Sequence, residues 1–264
     1  MGAKGNKGKN GMRGGMAFDA CRLLCLPCAG GSATVYASWA KAAPSWLAVR
    51  PLELPGRGTR YHEPLQHDPH ELADQLSDEC QALHISSDAC FALFGHSLGG
   101  LLAFEIAHRL HARGRPPVAL FVAASRPPAT RDDTRYAALQ DDADALAEMR
   151  ALGGTPEALL AQPELMAMVL PVIKADFQLC GRYRRPSRAV RAPLPVPIHA
   201  LAGQRDTFAP EVLDDWRCET SKAYTRTDFE GDHFFVRDDP AHLLAVIANE
   251  LAPAMHVPRA WEAR

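Results

Sequence analysis

The chain has 264 residues, 47% of them hydrophobic and 23% charged, which suits one α/β domain with an insertion and a large buried core. Lysine plus arginine number 29 against 31 acidic residues, a net charge of −2, so nothing in the balance marks nucleic acid or a membrane surface as a partner. No apolar run approaches the length needed to cross a bilayer.

The first sixteen residues, Met1 to Met16, are rich in glycine and lysine with no apolar stretch behind the basic residues. They are not a secretory signal. Such a composition cannot build a core, so a disordered tail is expected over residues 1–20. It reads as a tag remnant or an upstream start, since Met12 and Met16 could each begin a shorter chain. Without an export signal, the seven cysteines are expected to be reduced thiols in the cytoplasm. Cys25-Leu-Pro-Cys28 has the C-x-x-C spacing but neither a second such pair nor a nearby histidine, so no metal is expected there.

Arg22 to Leu26 is a short apolar run that predicts a strand, followed by the glycine turn Cys28-Ala29-Gly30-Gly31-Ser32. A helix holding Val35, Trp39 and Ala40 is expected next, then a second strand from Val49 to Leu54, stopped by Pro55-Gly56-Arg57-Gly58. Leu72, Leu76, Cys80 and Leu83 recur at helical spacing, predicting a helix over His70 to Leu83. Phe91 to Phe94 is continuously apolar, the pattern of a strand buried on both faces of a parallel sheet. Leu98 to Leu110 follows as a helix and Val118 to Ala124 as a strand. This βαβ alternation predicts an α/β fold.

From about residue 126 to 193 the pattern changes to Ala, Leu and Met at helical spacings, with helices expected over Asp141 to Leu152 and Pro163 to Leu179. The segment reads as a helical lid over the mouth of the sheet. Val196 to Ala202 and Ala223 to Phe229 resume the strands. Ala241 to Leu251 is the closing helix, and residues 256–264 form a tail.

Phe94-Gly95-His96-Ser97-Leu98-Gly99-Gly100 contains G-x-S-x-G between a buried strand and an apolar helix. That context is the nucleophile elbow of the α/β-hydrolase fold, a mostly parallel central sheet flanked by helices. Ser97 must sit on a strained turn to lift its hydroxyl above the sheet, and Gly95 and Gly99 avoid collision with neighbouring backbone. The Leu98 N–H, at the start of the helix, points at a developing oxyanion. The second donor is expected from the loop after the first strand, with Ala29 N–H the first choice.

In this fold the acid and the histidine follow the nucleophile in that order. His199 lies inside a strand and His242 in a helix, whereas His233 in Gly231-Asp232-His233-Phe234-Phe235 sits on a loop between strand and helix. His233 is therefore the expected general base. Asp206, after the strand Val196 to Ala202, is the expected acid that fixes its tautomer. Asp214 and Asp215 look helical and solvated, and Asp232 is too near His233 in sequence to approach the ring from behind.

Assembled in order, Leu24-Cys25-Leu26-Pro27-Cys28-Ala29-Gly30-Gly31-Ser32-Ala33, Leu54-Pro55-Gly56-Arg57-Gly58 with Arg60, Gly95-His96-Ser97-Leu98-Gly99-Gly100, Ala202-Gly203-Gln204-Arg205-Asp206 and Gly231-Asp232-His233-Phe234-Phe235 resemble the stand-alone type II thioesterases of nonribosomal peptide and polyketide synthases. The resemblance spans about Arg22 to Leu251. Cys28 departs from the histidine often found there, which leaves the role of that side chain open. The resemblance implies hydrolysis of acyl thioesters on the phosphopantetheine arm of carrier proteins through an acyl-Ser97 intermediate. It implies no metal and no bound cofactor. In many synthase-terminal domains the acid follows the strand after the nucleophile helix. Here that strand ends Ala123-Ala124-Ser125-Arg126, and an acid at Asp206 resembles the stand-alone type.

Carrier proteins are usually acidic, and the run from Gly181 to Arg191 holds Arg182, Arg184 and Arg185, with Arg188 and Arg191 beyond them. Carrier docking on Arg182, Arg184 and Arg185 is weighed against a solvated basic loop. A carboxylesterase or lipase, an acyltransferase or cyclase, and a non-catalytic carrier-binding chaperone are the competing functions. An intact Ser97, Asp206 and His233 argues against the last. A monomer is expected.

Overall fold

The structure is a computed structural model that describes residues 21–83 and 90–255. The tails expected at residues 1–20 and 256–264 lie outside the described residues. Six strands, β1 (Cys21–Leu26), β2 (Leu47–Pro51), β3 (Phe91–His96), β4 (Leu120–Ala123), β5 (Ile198–Gly203) and β6 (Tyr224–Phe229), form one sheet in the order β2-β1-β3-β4-β5-β6. Every pairing is parallel.

The central strands β3, β4 and β5 are buried along their whole length because helices cover both faces. Side chains alternate between two apolar layers. Leu24, Leu26 and Leu93 face α2 (Pro69–Leu83) and α3 (Leu98–Ala112). Leu23, Cys25 and Phe94 face the other side, where α1 (Trp39–Ala42) contributes Trp39 and α7 (Pro240–Met255) contributes Leu243, Leu244 and Ile247. Each such leucine removed from water contributes roughly 1.5–3 kcal/mol. The edge strand β6 alternates less and stays half-exposed, as its Tyr-Thr-Arg-Thr-Asp-Phe sequence requires.

Two expectations shift. The second strand lies at Leu47–Pro51 rather than Val49 to Leu54, because its register with β1 ends where Cys25 faces Pro51, with a last bond from the Leu52 N–H to the Cys25 carbonyl at 2.9 Å. The helix expected around Val35 to Ala40 breaks into a 3-10 turn, Ala33–Tyr36, and the short α1. Tyr36 turns inward there to donate its hydroxyl to the Leu26 carbonyl at 2.7 Å.

From β1 the chain moves to the sheet edge as β2, then returns across β1 to form β3. The C-terminal ends of β1 and β3, with Leu26 opposite Gly95, therefore flank the point where strand order reverses. A crevice forms at such a switch point. Between β4 and β5 the chain inserts a 3-10 turn, Thr134–Tyr136, and the helices α4 (Asp142–Leu152), α5 (Glu157–Leu160) and α6 (Pro163–Arg182), with no named strand. Ala151, Leu152, Phe177 and Cys180 of this insertion line the crevice above the sheet. All seven cysteines are free thiols. No described helix is long and apolar enough to cross a membrane.

Candidate active site

Ser97 lies between β3 and α3 with φ 55° and ψ −112°, a strained conformation for a residue with a side chain. The elbow closes so tightly that a Cβ on Gly95 would lie 2.0 Å from the Gly99 carbonyl oxygen, and one on Gly99 would lie 2.2 Å from that of Leu26. The Ser97 N–H donates to Ala123 at 2.8 Å, which ties the elbow to β4.

The predicted acid and base meet. His233 Nδ1 lies 3.0 Å from both carboxylate oxygens of Asp206, and the two side chains are 7% and 2% exposed. The loops that carry them are bound together through backbone bonds from Gln204 to Phe229 and from Arg205 to Gly231, each 2.9 Å. His233 and Ser97 line one cavity of about 390 Å³. Ser97 Oγ and His233 Nε2 make no hydrogen bond in this arrangement, which is common before substrate draws the pair together.

The rival residues are otherwise engaged. Asp214 accepts from Arg226 and from the Tyr224 hydroxyl. Asp232 accepts from the Phe234 N–H. His199 stacks on Phe121.

Ala29 lines the same cavity, and Leu98 is wholly buried behind the elbow. Among the described residues neither the Ala29 N–H nor the Leu98 N–H has a protein acceptor. Two N–H groups left without a protein acceptor beside Ser97, one on buried Leu98 and one on half-buried Ala29, suit a developing oxyanion. Cys28, also buried, lies 4.0 Å from the Arg237 guanidinium. Burial raises the pKa of its thiol, with Arg237 offsetting part of the rise, so the side chain is a neutral wall of the cavity rather than a second nucleophile.

Several residues at the site had no assigned role in the sequence. His96 Nε2 bonds the His233 carbonyl oxygen at 2.7 Å. Glu53 accepts from the Ser32 hydroxyl at 2.7 Å and from the Ala33 N–H at 3.1 Å. Arg57, in the Pro-Gly-Arg-Gly stretch, meets Asp176 of α6. One signal was legible: Asp176 is the one acid between Leu165 and Cys180, a mostly apolar stretch of the lid helix. The basic run also separates into parts. Arg185 forms a two-pronged pair with buried Glu219, at 2.9 Å on each oxygen, and Arg191 does the same with Glu105 at 2.8 Å. Among the described residues, Arg182 and Arg184 donate only to backbone carbonyls and have no carboxylate partner.

A family model described as the thioesterase domain matches residues 21–251. The chain belongs to the thioesterase family. It is similar to the thioesterase PikA5 of Streptomyces venezuelae, with 35% identity over 92% of this chain and 85% of that one. It is similar to the gramicidin S biosynthesis protein GrsT of Aneurinibacillus migulanus, with 31% identity over 87% and 88%. Among solved structures it is similar to the type II thioesterase BorB from the borrelidin biosynthetic cluster, with 37% identity, a TM-score of 0.77, and coverage of 88% of this chain and 93% of that one. This thioesterase has the α/β-hydrolase fold, and its chemistry is hydrolysis of a thioester.

Proposed function

We propose that this thioesterase is a type II, editing enzyme that clears acyl groups from the phosphopantetheine arms of carrier-protein domains in a nonribosomal peptide or polyketide synthase, in the cytoplasm. The observation that carries the mechanism is the Asp206–His233 pair opening onto the cavity that holds Ser97. Ser97 Oγ attacks the thioester carbonyl as His233 Nε2 takes its proton, and Asp206 stabilises the imidazolium through Nδ1. The N–H groups of Ala29 and Leu98 hold the oxyanion. Collapse of the tetrahedral intermediate breaks the C–S bond, and the imidazolium protonates the departing thiolate. A water then gives its proton to His233 and attacks the acyl-Ser97 carbonyl, releasing the free acid and restoring the serine.

The cavity walls support a substrate with one polar and one apolar half. On one side lie Arg126, Arg131, Asp132 and Arg135. Arg126 stacks 4.6 Å over Phe208 and, among the described residues, has no carboxylate partner. A second cavity of about 310 Å³ shares Ala29, Phe177 and Phe234 and is walled by Val35, Val169 and Ile173. The polar side suits the phosphopantetheine arm and the apolar side the acyl chain. The acid also follows β5, and β4 is followed by Ala124 at φ 47° and Ser125 with no carboxylate at its tip, an arrangement that resembles the stand-alone enzymes.

The test is release of acyl groups from a phosphopantetheinylated carrier protein, with Ser97→Ala beside the wild type and an oxygen ester in parallel. Faster release from the carrier than from the ester, abolished by Ser97→Ala, is the expected result. A carrier-bound acyl group that survives while the ester is cut would make the enzyme a general esterase.

A further inference from the structure

The loop that offers the Ala29 N–H is held from above by the lid. Asp176, on α6 and fully buried, accepts the Gly30 N–H at 2.7 Å through Oδ2, and its Oδ1 accepts from Arg57 Nη2 at 2.8 Å. Arg57 Nη1 also bonds Asp176 Oδ2, and the same nitrogen reaches the Gly31 carbonyl at 3.4 Å while Nε reaches Pro55. One carboxylate thus joins the lid helix, the oxyanion loop and the loop after β2. One turn earlier on α6, Ile173 packs on the same peptide: a Cβ on Gly30 would lie 2.1 Å from Ile173 Cδ1, and Gly30 has φ 70°. Only glycine fits both the left-handed backbone and the approach of the helix.

We propose that Asp176 is a positioning residue for the oxyanion hole, so that the seating of the lid helix sets the orientation of the Ala29 N–H. The Gly30 N–H that Asp176 fixes belongs to the peptide adjoining the one that carries the Ala29 N–H. A rotation of the Gly30 peptide therefore carries the donor off the developing oxyanion. Glu53 pins the far end of the loop at Ser32 and Ala33, whereas Asp176 holds the residue next to the donor. Catalytic competence then depends on α6 being seated: a lid displaced from the loop takes with it the acceptor that orders the hole. The inference rests on the oxyanion role of Ala29 given above.

A buried ion pair replaced by apolar side chains of similar volume often folds as well as the original, which separates positioning from stability. In the paired variant Arg57→Met with Asp176→Leu, the Gly30 N–H loses its acceptor while the interior stays filled. With a small free thioester as substrate, kcat is expected to fall by ~10- to 100-fold with KM nearly unchanged. The inhibition constant of an alkylboronic acid, whose Ser97 adduct places an oxygen in the hole, is expected to rise by a similar factor. The pair Arg57→Gln with Asp176→Asn returns an acceptor oxygen to Gly30 and is expected to recover both values toward wild type. If the Met/Leu pair does not fold, Arg57→Ala with Asp176→Ala carries the same expectation. A folded Met/Leu or Ala/Ala variant with wild-type kcat and boronic acid affinity would overturn the proposal. A wild type that neither cleaves the thioester nor binds the boronic acid through Ser97 would instead overturn the catalytic reading beneath it.

Discussion

His96 Nε2 donates a hydrogen bond to the backbone carbonyl oxygen of His233 at 2.7 Å, so the residue before Ser97 holds the loop that carries the imidazole paired with Asp206. The two rings lie 5.3 Å apart, and His96 is 2% exposed. Burial, with a smaller contribution from His233, pushes the His96 pKa down to about 3. The ring is therefore neutral across the working range of the enzyme, with the proton on Nε2 where the carbonyl needs it. Removing this bond with His96→Ala frees the base loop and leaves a buried carbonyl unpaired. The expected result is a ~10-fold lower kcat on a small thioester and a loss of about 1–3 kcal/mol of stability. His96→Gln, whose amide can reach the same carbonyl, should restore most of the activity. The same substitution tests a pH effect of known sign. An unfolded histidine takes up a proton below its ordinary pKa of 6.5, whereas folded His96 does so only near 3. Its contribution to stability is therefore fully present above pH 6.5 and is lost as pH falls toward 3, by about 1.4 kcal/mol per pH unit. Between pH 7 and pH 5 the wild type should lose about 2 kcal/mol of stability in urea unfolding that His96→Gln keeps. An unchanged slope would show that His96 titrates normally in the folded protein.

Asp206 holds His233 Nδ1 with both carboxylate oxygens, one of which also accepts from Thr207, and the carboxylate is nearly sealed from solvent. Asp206→Asn keeps the shape but offers an amide N–H as readily as an oxygen, so the imidazole can settle in the wrong tautomer. A fall in kcat of roughly 10³- to 10⁴-fold is expected with little change in KM. Thermal melting should move little, because the amide still accepts from the Thr207 N–H that Asp206 Oδ1 receives at 2.6 Å. A drop of less than ten-fold would pass the acid role to another carboxylate.

The basic run after α6 divides into anchors and free charges. Arg185 is committed to Glu219, which is 4% exposed at its side chain, so Arg185→Glu would bury two like charges together. That variant is expected to lose about 3 kcal/mol or more in thermal or urea unfolding. Among the described residues, Arg182 and Arg184 have no carboxylate to lose. If they dock an acidic carrier, Arg182→Glu with Arg184→Glu should raise KM for a carrier-bound acyl group several-fold and leave a small thioester untouched. Equal effects on the two substrates would remove these residues from the carrier surface.

The sequence by itself determined the parts of this thioesterase that depend on neighbours in the chain. Ser97 was legible because a strained turn between a buried strand and a helix demands Gly95 and Gly99 beside it, and that demand is written within seven residues. Asp206 and His233 were legible because each sits on a short loop at a strand end, in an order the fold prescribes. The lid helices showed in their spacing of apolar residues. Strand bounds were less legible, since the register with β1, not local propensity, ends β2 at Pro51. The tertiary structure alone decided which charges meet. Asp176 reaches Arg57 across 119 residues and Gly30 across 146, and Arg191 reaches Glu105 across 86. No periodicity records such a partnership, because it depends on where one packed helix comes to rest over another part of the fold. A run of arginines in the sequence is a single basic stretch; only packing distinguishes the two that close buried ion pairs, Arg185 and Arg191, from Arg182 and Arg184, whose charge stays open to a partner.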